Sequence, residues 1–177
     1  MSSGGVAEPA PRGAGWRPLR PSDLDAVERI AAIVHPAYPE RPEVPAERLA
    51  LFAAGCFAAW DGTEMVGYAI AHPGRLGAPP ALDSLLGALP ARPDCLYLHD
   101  VALLPAARGK GLGSALVGRL IGLAAARGLM HLALVAVGGS TPYWMAQGFG
   151  PPPHPSRDLR RKLASYGGDA AYLVRGI

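Results

Sequence analysis

Cysteine, charge and aromatic side chains are all scarce in this chain of 177 residues: two cysteines, 18% charged and 7% aromatic residues. Cys56 and Cys95 have no second partner at metal-ligand or redox spacing, which excludes a cysteine zinc site and a CxxC motif. Both sit in apolar, strand-like runs and read as buried free thiols, with a disulfide or a reactive nucleophile as the alternatives. No segment reaches the roughly 18 uninterrupted apolar residues of a membrane span, and Arg119 breaks the nearest candidate. The N-terminal stretch lacks the apolar core of a signal peptide, so a cytoplasmic location is expected and no membrane partner. A formal charge of +3 and a pI near 9.1 permit anionic ligands. There is no dense basic stripe interleaved with aromatics, so no nucleic-acid partner is expected. What is plentiful is apolar bulk, 50% of residues, with 23 glycines and 19 prolines. These show no G-X-Y period, which excludes collagen, and a chain of this length suits one domain with a sizeable core.

Residues 1–15 lack periodicity and bulk and read as a disordered tail, leaving 16–177 as the domain. Residues 16–20 alternate and suit an edge strand that tolerates Pro18. Ser22 is the expected cap of a helix whose apolar positions Leu24, Val27, Ile30, Ala31 and Val34 keep helical spacing, and His35-Pro36 ends it. A proline-punctuated loop over 35–45 leads to a short helix expected at 46–54. Strands at 56–60 and 65–72 then form a hairpin across Asp61-Gly62. Residues 73–94, rich in proline and glycine, read as a long insertion with one helix near 81–89, the kind of segment that forms lids or pocket walls. The stretch 95–104 is the most apolar strand and is expected to be central. A helix over 112–127 closed by Gly128, a strand over 131–137, a short helix over 141–147 and a last strand over 171–175 complete the chain. The order β-α-α-β-β-β-α-β-α-β-β predicts an α/β (α+β) fold, a mixed sheet with helices on both faces. The basic run 157–162 reads as a solvated surface, or alternatively a contact for an acidic partner.

Between the central strand and its helix lies Arg108-Gly109-Lys110-Gly111-Leu112-Gly113-Ser114. Alternating glycines before a helix let consecutive N–H groups converge on an anion at the positive end of the helix dipole, and pyrophosphate suits such a nest. The spacing fits neither a Walker A loop nor the dinucleotide fingerprint. A flexible strand–helix turn is the other reading. The segment VALLPAARGKGLGSALV resembles the coenzyme A loop of the Gcn5-related N-acetyltransferase (GNAT) superfamily. Its pattern Arg/Gln-x-x-Gly-x-Gly/Ala is met by Arg108, Gly111 and Gly113, after the V-x-L-x-P register of Val101, Leu103 and Pro105. Downstream, YWMAQGF is similar to the Y-x-x-x-G-F that ends the family's last helix.

The resemblance implies a mostly antiparallel sheet splayed beside the central strand, with acetyl-CoA in the V and no metal. Backbone groups of Val101 and Leu103 would pair with pantetheine. The N–H groups of Arg108, Gly109, Lys110, Gly111, Leu112, Gly113 and Ser114 would hold the pyrophosphate, while the Lys110 side chain adds a charge contact or points to solvent. The N–H of Val101 would polarise the acetyl carbonyl. His99, where arylalkylamine acetyltransferases place a histidine, would take a proton from the acceptor, or else is a satisfied core histidine. Strand alternation places His99 on the face of Val101 and Asp100 on the opposite face, as an orienting carboxylate or a substrate contact. The family's thiolate-protonating tyrosine is replaced by Trp144. Tyr143 is adjacent but turned by about 100° on an ideal helix, so either Tyr143 or solvent protonates the thiolate. Trp144 packs along the pantetheine arm or in the core. Tyr38, Glu40, Glu43 and Glu47 surround the loop bordering the implied acceptor pocket; they suit a cationic amine, or simply solvate a loop. The implied activity is acetyl-CoA-dependent N-acetyl transfer to a primary amine, with a small molecule favoured, by direct attack. Peptide acceptors and a homodimer stay open. The rival, a non-catalytic acyl-CoA-binding or sensing module, gains from the missing tyrosine and loses from His99.

Overall fold

A computed structural model describes residues 13–177, so the tail expected over 1–15 falls almost wholly outside the described residues. Its inner end is ordered: Ala14 packs against the core, and Gly15 pairs with Trp60. The elements are β1 (Gly15–Pro18), α1 (Leu24–Val34), α2 (Glu43–Leu51), β2 (Cys56–Asp61), β3 (Glu64–Gly74), β4 (Cys95–Leu103), α3 (Leu112–Ala126), β5 (His131–Ala136), α4 (Thr141–Ala146), α5 (Arg157–Ala164) and β6 (Ala171–Gly176). The six strands form one sheet in chain order. Every pairing is antiparallel except β4–β5, which is parallel and holds only from Leu96–Leu132 to Leu98–Leu134.

Helices cover both faces, as the element order predicted. On one face Leu112, Leu116 and Leu120 of α3 pack against Leu96 and Leu98 of β4 and Leu132 and Leu134 of β5, with Trp144 and Phe149 closing that core. On the other, Val27 and Ile30 of α1 and Leu49 of α2 meet Cys56, Tyr68, Ile70 and Ala102. Leu159 of α5 covers Cys95, Tyr97, Ala133 and Tyr172 further along that face. Fully burying each leucine contributes on the order of 2 kcal/mol, so the two-sided core needs no covalent staple. Both cysteines are buried and free, and burial pushes each thiol up to about 12, which leaves them inert.

Several local expectations are corrected. Ser22 does not cap α1. Pro21 begins a 3₁₀ turn, and the Asp23 carboxylate accepts from the Arg20 N–H at 2.9 Å, so the cap is displaced by one residue. The helix expected over 46–54 starts at Glu43 and stops at Leu51, where the chain tightens into a 3₁₀ turn. No helix forms at 81–89: Asp83 takes a positive φ of 54°, and the N–H groups of Leu86 and Gly87 donate to Glu47 instead of to their own turn. Between α4 and β6, where the sequence analysis placed no element by residue number, Gly150 makes an isolated bridge with Val174 and α5 forms. That helix is capped by Ser156, whose hydroxyl accepts from Leu159 N–H at 3.1 Å, with Asp158 in its first turn and Arg161 and Lys162 in its last.

Candidate functional site

Past Leu98 and Leu134 the parallel pair parts, and a cavity of about 600 Å³ occupies the fork. Its walls come from β4, β5, α1, the loop after α1, and Tyr143 and Trp144 of α4. A bulge sits where the fork opens: Ala71 opposes Leu98 but Ile70 opposes Asp100, so β4 carries an extra residue at this point. The bulge breaks the alternation. Val101 packs toward the α3 core, whereas His99 and Asp100 both face the α1 side. The expectation that His99 shares a face with Val101, opposite Asp100, is therefore overturned.

On the α1 side two histidine–carboxylate pairs stand next to each other. His99 Nε2 lies 2.9 Å from Glu40 Oε2, with only 6% of the His99 side chain exposed. His35 Nε2 lies 3.3 Å from Asp100 Oδ1 and 2.9 Å from the Val101 carbonyl oxygen, and Tyr68 Oη donates to Asp100 at 2.6 Å. Burial alone would lower the His35 pKa, but the Asp100 carboxylate outweighs it and holds the imidazole above its ordinary value. Burial alone would raise Asp100; the hydrogen bond and charge of His35, with His99 and Tyr68, hold it below the usual range instead. In the sequence His35 stands out only as a helix stop. It reaches the site because the chain reverses after α1 and delivers residue 35 to the bulge. Since an extended residue points its N–H and C=O the same way, the His35 contact also shows that the Val101 N–H is turned toward the fork.

The glycine loop starts at the edge of the cavity, where Arg108 is the one residue of 108–114 that lines it. Gly109 and Gly111 adopt φ of 75° and 76°, and the space beyond each Cα is open. Gly111 is the cap of α3; the first intrahelical bond found there is Ala115 N–H to Gly111 O, which leaves the N–H groups of Leu112, Gly113 and Ser114 without helical partners. No acidic residue occupies that first turn. Such a cradle can hold an anion with several oxygens. Gly113 is needed for a different reason, because the Tyr143 hydroxyl stands where its side chain would be. Lys110 pairs with Asp61 at 2.6 Å, and Arg108 donates from Nε to the Leu103 carbonyl at 3.3 Å while lining the cavity. The Ser114 hydroxyl accepts from Gln147 at 3.3 Å.

Tyr143 is 45% exposed, and its partial burial raises its pKa, which weakens it as an acid. Trp144 is buried edge-on against Phe149 and lines the cavity. Tyr38 and Glu40 line the cavity; Glu43 and Glu47 do not. Glu47 instead binds Arg48 and two backbone N–H groups of the insertion. Among the described residues no group of His, Cys, Asp and Glu could hold a metal, and no helix is long and apolar enough to cross a membrane.

A mixed sheet that forks beside a glycine-capped helix is the frame of an acyltransferase. The protein-family model described as "Acetyltransferase (GNAT) family" matches residues 24–149, and the chain belongs to that family. No curated protein matches the sequence. Among solved structures, it is similar to the GphF GNAT-like decarboxylase in complex with isobutyryl-CoA (21% identity, TM-score 0.68, covering 92% of this chain and 98% of that one). It is also similar to the ribosomal-protein-S18-alanine N-acetyltransferase from Escherichia coli (21%, TM-score 0.62, 93% and 94%) and to Arabidopsis thaliana Naa50 in complex with a bisubstrate analogue (12%, TM-score 0.67, 93% and 99%). At these identities the structures establish the shared fold.

Proposed function

We propose that the protein is an acetyl-CoA-dependent N-acetyltransferase that acetylates a primary amine of a small molecule by direct attack. One observation carries the reading: the buried His99–Glu40 pair and Arg108, the first residue of the glycine loop, line a single cavity, with the Val101 N–H turned into the fork between them. Acetyl-CoA supplies the acetyl group as a thioester. The Arg108 N–H donates to the Pro105 carbonyl at 3.2 Å, so of the expected run the N–H groups of residues 109–114 are left to hold the pyrophosphate, and Val101 steadies the carbonyl oxygen as it gains charge. The carbonyls of Val101 and Leu103 are already engaged by His35 and Arg108, so pairing with pantetheine falls to the strand's N–H groups and remaining lone pairs. Glu40 accepts the Nε2–H of His99, which leaves Nδ1 to take the proton from the incoming ammonium. The amine nitrogen bonds to the acetyl carbon and sheds its second proton to solvent, the carbon–sulfur bond breaks, and solvent protonates a thiolate whose ordinary pKa of about 8.5 makes it a fair leaving group.

The walls support the reading of a small acceptor. The insertion after β3 is pinned by Arg41 to Asp83 at 3.1 Å and by the Tyr166 hydroxyl to the Pro80 carbonyl at 2.6 Å, and its Leu82 closes the acceptor side. His99→Gln tests the reading. Turnover should fall roughly 10- to 100-fold and the acid limb of the pH–rate profile should flatten, with acetyl-CoA affinity by calorimetry unchanged. Wild-type turnover in that variant would return His99 to a core role. Tight acetyl-CoA binding with no amine turnover in the wild-type protein would favour the sensing module instead.

A further inference from the structure

Where β4 leaves β5, one side of its backbone loses its partner. The shared rungs end at Leu98–Leu134, and the bulge leaves His99 without a rung on β3 as well. Val101 is still paired with Ala69, but on the fork side the sheet offers the peptide planes around the bulge no hydrogen bond to fix their tilt. Two side chains from outside β4 take over. Tyr68 of β3 donates from Oη to Asp100 Oδ2 at 2.6 Å, and His35 Nε2 faces Asp100 Oδ1 at 3.3 Å and the Val101 carbonyl at 2.9 Å. Both neighbours of that nitrogen are acceptors, so Nε2 carries a hydrogen and serves as a donor. The two anchors are themselves fixed. Tyr68 is fully buried, while His35 closes α1 with its N–H on the Ala31 carbonyl at 2.7 Å and accepts the Tyr38 N–H at 3.0 Å.

We infer that His35, braced through Asp100 by Tyr68, is a positioning residue: its bond to the Val101 carbonyl holds the strand so that the Val101 N–H meets the thioester carbonyl of acetyl-CoA. The inference rests on the acetyltransferase reading above and adds to it a residue that acts through the backbone of Val101. An extended residue aims its N–H and C=O the same way, so a grip on the carbonyl sets the direction of the N–H. That direction matters because a donor to a developing oxyanion works only within a few tenths of an ångström of its proper place.

The test uses full-length protein and three variants. His35→Phe keeps a ring but no donor, His35→Gln puts an amide nitrogen where Nε2 stands and cannot titrate, and His35→Asn is too short to reach both partners and replaces His35→Phe should that variant fail to fold. With a primary amine that the wild-type protein acetylates, His35→Phe should lower kcat roughly 10- to 100-fold, keep the KM for acetyl-CoA within about 3-fold, and be rescued in His35→Gln to within about 5-fold of wild type. A kcat unchanged in His35→Phe, an equal loss in kcat and in acetyl-CoA affinity, or a His35→Gln enzyme as slow as His35→Phe each overturns the inference and leaves the acetyl transfer standing. A second arm reads the clamp without turnover, from the amide proton of Val101 in ¹⁵N-labelled protein. It should shift further on adding acetyl-CoA than on adding CoA, and that difference should vanish in His35→Phe and persist in His35→Gln. No CoA release from the wild-type protein with any amine overturns the acetyltransferase reading, and the amide arm then decides the inference alone: a difference lost in His35→Phe upholds the clamp, and one absent from the wild-type protein or retained in His35→Phe sinks it.

Discussion

His72 and His35 respond to acid in opposite directions, although both lie on the α1 side of the sheet. Burial depresses His72 to about 4, below the ordinary 6.5, so the fold favours its neutral form. Its protonation therefore favours unfolding, and stability is lost as pH falls from about 6.5 to about 4, by at most about 3 kcal/mol. His35 is raised, so its contribution is complete below about 6.5 and is lost as pH rises through its folded value. Asp100 is lowered, so its contribution is present above about 3.9 and is lost as pH falls through its folded value. The His35–Asp100 pair thus supports the fold over the same interval in which His72 weakens it. His72→Phe should flatten the decline of the urea midpoint between pH 6.5 and 4.5 relative to wild type; an equal decline would show that His72 does not govern acid sensitivity. Of these residues the sequence announced only His99 and Asp100, through their register before Val101. His35 was hidden because its partners lie 66 positions away. The face of Asp100 was misjudged because alternation cannot foresee a bulge.

At the scale of elements, the three glycines of the α3 loop are not equivalent. Gly111 needs its left-handed φ of 76°, and Gly113 needs room for Tyr143. Gly111→Ala should destabilise by about 1 kcal/mol and raise the KM for acetyl-CoA, because the methyl group strains the cap and intrudes on the cradle. Gly113→Ala should turn the half-exposed Tyr143 outward at little cost in melting temperature and leave kcat within about 3-fold, since solvent suffices as the acid. A loss of about 100-fold in kcat would instead make Tyr143 the proton donor. Most elements were legible because their signals are local: the loop glycines, the Asp61-Gly62 turn and the apolar run of β4. The helix α5 was not, since its arginines and lysine masked the spacing of Leu159 and Leu163, its two core-facing residues. The helix expected at 81–89 failed for the converse reason, because its backbone bonds were claimed by Glu47 from another element.

Across the whole molecule, the insertion after β3 acts as a wall held from two sides. Glu40 and Arg41 hold Asp83 from the α1–α2 loop, while Lys162 and the Tyr166 hydroxyl hold the carbonyls of Pro79 and Pro80 from α5 and its end. Tyr166→Phe removes one of these bonds. It should lower stability by about 1 kcal/mol in denaturant titrations and raise the KM of the acceptor more than that of acetyl-CoA. An equal effect on both would argue that the wall does not border the acceptor. The brevity of the β4–β5 pairing has a mechanical side as well. With three shared residue pairs, the sheet consists of two leaves, β1–β4 and β5–β6, and α3 is the spine to which both are bound. Any guest lying along the seam contributes rungs that neither leaf can make alone, so it works as a stitch. Amide exchange at the facing margins of β4 and β5 is where tightening of that stitch would register first, ahead of any movement of the helices.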